Sequence, residues 1–183
     1  MKFVSIDAST KDMAFAYFVN GKPIKYGKLE FGGSDIYGKV MDISVKVKAF
    51  YNRFDDVEHM IIEAPVYINS PQTAQYLSMT HGAIVGAASL SGIRYVRNVV
   101  PMTWQGQIGN PKLSKEEKDK LRNKAPNKSN SWYKNQERQI RKNKTIYIVN
   151  NKFDLNIKDN DIADALGIGL WATERWDLVC EKT

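Results

Sequence analysis

Cysteine is nearly missing from this chain of 183 residues: Cys180, close to the C-terminus, stands alone. A single thiol excludes a disulfide framework and suits a reducing compartment. Long apolar runs are missing too. No stretch approaches the roughly 18 residues of a membrane span, so no membrane partner is expected. The chain enters a strand pattern at Phe3, so no signal peptide is expected. Together these make the cytoplasm the expected location. Histidine is scarce, and His81, inside the helical pattern Thr80-His81-Gly82, suits a structural or interface role better than that of a base; His59 is the other. Glycine-rich phosphate loops and internal repeats are also lacking. That removes the actin-like and sugar-kinase ATPases, and no organic cofactor is expected.

What is present reads as one globular domain over residues 1–183, with 43% hydrophobic residues and four tryptophans. Phe3 to Ala8, Met13 to Val19 and Ile24 to Phe31 have strand character. Asn20-Gly21-Lys22-Pro23 is a hairpin turn between the last two, and Tyr26 and Leu29 are candidate inward residues. Ile36 to Phe54 has helical spacing, with Val40, Ile43, Val47 and Phe50 or Tyr51 on one face. Val57 to Glu63 is a continuous apolar run, expected to be a strand buried on both sides. A helix from Gln72 to Leu90, rich in small residues, a strand from Arg94 to Val100 and a turn or short helix from Pro101 to Gly106 follow. The last helix runs from Asp159 to Trp176. The order predicts an α/β fold, a mixed sheet flanked by helices with the first and fourth strands as neighbours.

The net charge of +7 is unevenly placed. Residues 112–152 carry 13 Lys/Arg against 4 Asp/Glu, while the rest of the chain carries 14 against 16. This basic segment, insertion-like on a mildly acidic body, points to a polyanionic partner, and Trp132, Tyr133 and many Asn/Gln residues within it favour nucleic acid over a merely solvated face. Ser114-Lys115-Glu116-Glu117 is a capped helix start, and Ser131 to Phe153 is a basic amphipathic helix. Lys134, Arg138, Arg141 and Lys142 on that helix are the candidate phosphate contacts.

Four acids complete the pattern. Asp7 ends the first apolar run, Glu63 ends the fourth, and Asp161 and Asp164 open the last helix on one face, three residues apart. Each has an ordinary alternative: a turn cap for Asp7, a strand-end charge for Glu63, and a favourable helix-dipole position for Asp161 and Asp164. Asp159 beside them is expected to be the cap. If the fold joins them, four carboxylates make an oxygen cage that repels itself unless cations neutralise it, and Mg²⁺ is the natural match. Carboxylates holding two such ions, ~3.5–4 Å apart, suit phosphodiester hydrolysis. Asp7 would bridge, Glu63 and Asp164 would flank, and Asp161 would complete the set or act through water. Mn²⁺ should substitute; Ca²⁺ should support binding without cutting.

Ile6-Asp7-Ala8-Ser9-Thr10, Ile62-Glu63 and Asp161-Ile162-Ala163-Asp164-Ala165-Leu166 resemble, in order and placement, the three acidic motifs of RuvC-type Holliday junction resolvases, of the RNase H-like nuclease superfamily. Val100-Pro101-Met102-Thr103-Trp104 resembles a further segment of that family. The long basic segment looks more like the phage or viral branch, for which the location would be a host cytoplasm. The resemblance implies an RNase H-like mixed five-stranded sheet and a Mg²⁺-dependent crossover junction endonuclease leaving 5′ phosphates. It also implies branched DNA, four-way junctions above all, as partner and an aromatic, here Tyr67, stacking at the junction. Two opposed incisions suit a symmetric homodimer, with the Gln72–Leu90 helix as the interface in the family. The alternatives are a non-catalytic branched-DNA binding module and an RNase H-like nuclease acting on flaps or RNA–DNA hybrids.

Overall fold

The computed structural model describes residues 1–54, 56–65 and 70–180. Strands β1 (Lys2–Ala8), β2 (Asp12–Val19) and β3 (Lys22–Glu30) form an antiparallel meander, and β4 (His59–Glu63) and β5 (Tyr95–Val99) extend it on the other side of β1 as parallel strands. The sheet order is β3-β2-β1-β4-β5, so the first and fourth strands are neighbours as expected. Asn20 and Gly21 both take positive φ at the hairpin between β2 and β3, the backbone such a two-residue turn requires.

Helices α1 (Ile36–Tyr51) and α2 (Pro71–Ser89) cover one side of the sheet. The short α3 (Pro101–Gln107) follows β5, and α4 (Lys115–Lys124) and α5 (Asn130–Phe153) form the basic segment. Helix α6 (Asn160–Glu174) crosses the other side over β1 and β2 with α5 packed behind it, and α7 (Trp176–Cys180) closes the described chain. The capped start is present, with Ser114 and Glu117 making reciprocal hydrogen bonds.

Side-chain alternation along the central strands builds two cores, one on each side. Val4 and Ile6 of β1 and Met60 and Ile62 of β4 face α1 and α2, while Phe3 and Ile61 face α6. Continuing the alternation puts Asp7 and Glu63 on the α6 side, one position beyond the paired Ile6 and Ile62. Two contacts fix α6 there. Buried Ser5 donates from Oγ to Ala165 O at 2.7 Å. Gly169 lies so close to the Phe18 ring that any side chain would collide with it.

Some expectations shift. Tyr26 points outward at 38% exposure, and only Leu29 packs inward; residues three apart on an edge strand cannot share a side. Helix α1 stops at Tyr51 rather than Phe54, and the last helical pattern breaks at Arg175 into α6 and α7.

Candidate active site

The separated acids converge. Asp7 at the end of β1, Glu63 at the end of β4, and Asp161 and Asp164 in the first turns of α6 meet at the C-terminal ends of two adjacent central strands. Burial pushes the Asp7 carboxyl well above its usual range, and Glu63, Asp164 and Asp161 push it further, against a smaller pull from Lys142. Burial likewise raises Asp164, to about 7, with Glu63 and Asp161 adding to the rise and Lys142 and Thr145 opposing it. Glu63 is raised by burial and held back by a hydrogen bond from Trp104 Nε1 to its Oε2 at 2.7 Å. Like charges crowded in a desolvated place raise one another's affinity for protons.

Asp161 differs from the other three. Lys28 Nζ stands 2.6 Å from Asp161 Oδ2 and 2.9 Å from Asp159 Oδ2, and Lys142 Nζ is 3.8 Å from Asp161 Oδ1. Asp159 is the N-cap of α6, accepting from the amides of Asp161 and Ile162. Burial works against the charges of both Lys28 and Asp159, yet hydrogen bonds to Asp161 and Asp159 hold Lys28 above its ordinary value, and those from Lys28 and the Ile162 amide hold Asp159 below its own.

Glu63 and Asp164 open into a cleft of about 500 Å³. Its lining joins Glu63 and Asp164 to Lys134, Arg138, Arg141 and Lys142, with Lys112 and Lys118 further along. All four candidate cations of α5 therefore face the acids' cleft, in two different states. Lys134 and Arg138 are exposed. Arg141 is tied to Gln105 Oε1 and to Asn110 O, and Lys142 reaches the acids. Tyr67 lies outside the described residues. Tyr133 is buried, donating from its hydroxyl to Ala125 O at 2.7 Å, so its ring belongs to the α4–α5 packing.

Sequence reasoning missed Lys28, Gln105, Asn110 and the Trp104–Glu63 contact. Lys28 is one of many lysines in the chain, and only the register Asp7–Ala14–Lys28 across three strands marks it. Hard oxygen donors whose mutual repulsion a cation would relieve fit divalent Mg²⁺ in chemistry. Among the described residues, however, no three His, Cys, Asp or Glu side chains are grouped closely enough to hold an ion.

No protein-family model and no curated protein sequence matches the chain. Solved structures do. T. thermophilus RuvC in complex with a Holliday junction substrate superposes with a TM-score of 0.68 at 16% identity, covering 97% of this chain and 96% of that one. This chain has the RuvC fold. Another Thermus thermophilus RuvC structure gives a TM-score of 0.68 at 17% identity with 98% of each chain covered. The yeast mitochondrial Holliday junction resolvase Ydc2 gives 0.51 at 12%, covering 94% of this chain and 78% of its own. The mixed five-stranded sheet flanked by helices is thus the RNase H-like arrangement the motifs implied.

Proposed function

We propose that this protein is a structure-selective endonuclease that resolves four-way DNA junctions by metal-dependent hydrolysis of phosphodiesters. The observation that carries the reading is the meeting of Asp7, Glu63 and Asp164, from three separate elements, with Glu63 and Asp164 lining a cleft that Lys134, Arg138, Arg141 and Lys142 also line. The fold shared with junction resolvases supports the substrate.

Asp7, Glu63 and Asp164 are the residues that would hold Mg²⁺. When bound, that ion supplies an activated water and charge stabilisation at the phosphate. Asp161, held by Lys28 and Lys142, keeps the start of α6 and its charges in place. Lys134 and Arg138, exposed on the wall, grip the phosphates that lead a strand to the floor. Two-fold pairing of subunits would present two such floors to a junction. The proposed dimer face is the groove between α1 and α2. Tyr37, Met41 and Val45 form an exposed stripe on α1, Leu90 is 82% exposed at the end of α2, and nothing crowds Gly82 or Gly86.

The test is cleavage of a synthetic mobile four-way junction, a flap, an RNA–DNA hybrid and plain duplex, with Mg²⁺ and with excess chelator. Paired, metal-dependent cuts in the junction are expected, and an Asp7→Asn protein should bind without cutting. Preference for flap or hybrid would replace the substrate. Junction binding with no cutting in Mg²⁺ or Mn²⁺ would make the protein a binding module.

A further inference from the structure

Trp104 has no exposed surface, yet its one polar atom is committed to an acid of the site: Nε1 donates to Glu63 Oε2 at 2.7 Å. The benzo edge of the same ring, on the far side from Nε1, rests on α6 at Gly167. A Cβ there would stand 2.6 Å from Cζ3 and 3.3 Å from Cε3. Gly167 lies three residues past Asp164, close to one helical turn. The indole therefore spans the gap between the Glu63 carboxylate and the stretch of backbone that carries Asp164. We propose that Trp104, seated on Gly167, is a positioning residue that fixes the Glu63 carboxylate for cation binding. The inference rests on the proposed metal-dependent function of this site.

A phenylalanine would fill most of the same space, and a buried indole N–H only needs some acceptor. Here the acceptor is a carboxylate that lines the cleft, so satisfying the donor also limits how the carboxylate can rotate. With Oε2 held by Trp104, Glu63 would meet a cation with its carboxylate already oriented. Gly167 makes the arrangement possible, because any larger residue drives the ring away from α6. Partners that orient ligating carboxylates change metal affinity or activity by about 10–100-fold when removed.

The experiment measures Mn²⁺ binding to the full chain without DNA, by the loss of the free-ion electron paramagnetic resonance signal. It compares the parent with Trp104→Phe, Gly167→Ala, Asp7→Asn and, as a packing control in the core on the other side of the sheet, Phe50→Leu. Trp104→Phe and Gly167→Ala should each weaken Mn²⁺ binding about tenfold or more, while Phe50→Leu leaves it within about twofold. Trp104→Phe binding like the parent, or Phe50→Leu losing as much as Trp104→Phe, would overturn the positioning role. The parent gives a reading that needs no folded variant. Saturating Mg²⁺ should shift an indole N–H resonance in ¹⁵N-labelled protein, and the absence of any such shift counts against the proposal. Should Asp7→Asn bind Mn²⁺ as the parent does, the metal-site reading itself fails. Loss in Asp7→Asn with none in Trp104→Phe removes only the strut.

Discussion

The carboxylates at the floor of the cleft sit on two central strands and on a helix buried nearly all round, whereas the cations of its wall ride on α5, which buries only Tyr133, Thr145 and Val149. Floor positions are fixed by packing on both sides of the sheet and by the Ser5 hydrogen bond that locks α6. Wall positions are fixed only near Arg141, where Gln105 and Asn110 hold it. In the proposed reading, a rigid floor would make each acid indispensable, and an exposed wall would share its work among several side chains. The difference is the one the proposed function needs between a site that aligns reacting atoms and a surface that collects a charged ligand.

The largest break in that contrast comes from the floor. Replacing Asp7 with Asn should cut the rate by more than the roughly 100-fold reached by changes one step removed from a metal site. Junction affinity measured in chelator should stay level or rise, because one charge repelling the phosphates is gone. A variant that cleaves at near the parent rate would take Asp7 out of the site.

The floor also predicts an unusual pH dependence of stability. A carboxyl whose pKa is raised on folding binds its proton more tightly in the native state, so metal-free stability falls as pH rises from the unfolded value near 3.8 towards about 7 for Asp164. Below that window the contribution is neutral; above it the full penalty applies. Asp164→Asn should therefore melt higher than the parent at pH 8 in chelator, and the gap should close by pH 4. Each 1 kcal/mol regained is worth about 2–4 °C for a chain of this size. An equal gap at both pH values would remove the electrostatic explanation.

How much of this was legible beforehand follows the same division. The strands and their order were readable because a strand's burial is written in unbroken apolar runs such as Met60-Ile61-Ile62, and Asp7 and Glu63 stood out because they end two of those runs. The N-cap role of Asp159 was readable from its place before α6. Lys28 and Trp104 were not. Their roles depend on cross-strand register and on the approach of α3 to Gly167, which no local pattern encodes. Tyr133 shows the opposite failure. An aromatic in a basic segment suggests bases, but its hydroxyl and ring are both used inside the protein, the ring lying under Arg122 at 5.3 Å.

The wall gives smaller and graded effects. Lys134→Ala and Arg138→Ala should each lower the slope of log affinity against log salt by about 0.7–0.9 if they meet phosphates, with little change in the rate at saturating DNA. Arg141→Ala should behave differently and lower stability, because Arg141 is bonded to Gln105 and to the backbone of buried Asn110. Unchanged salt slopes in both of the first two variants would move the DNA path off α5. An Arg141→Ala protein as stable as the parent would place Arg141 with the exposed pair.

The smallest effect tests whether the arm's aromatics contribute to recognition at all. Tyr133→Phe removes one hydrogen bond, the hydroxyl of α5 to Ala125 O just beyond the end of α4, and keeps the ring and its contact with Arg122. A buried hydrogen bond of this kind is worth about 1 kcal/mol net, so the melting temperature should fall by about 2–4 °C. Junction affinity and its salt slope should not change, since the hydroxyl faces the protein rather than the cleft. A variant with parental stability but weaker binding would reverse the assignment, because only a ring or hydroxyl that reaches the nucleic acid lowers affinity without lowering the stability of the fold.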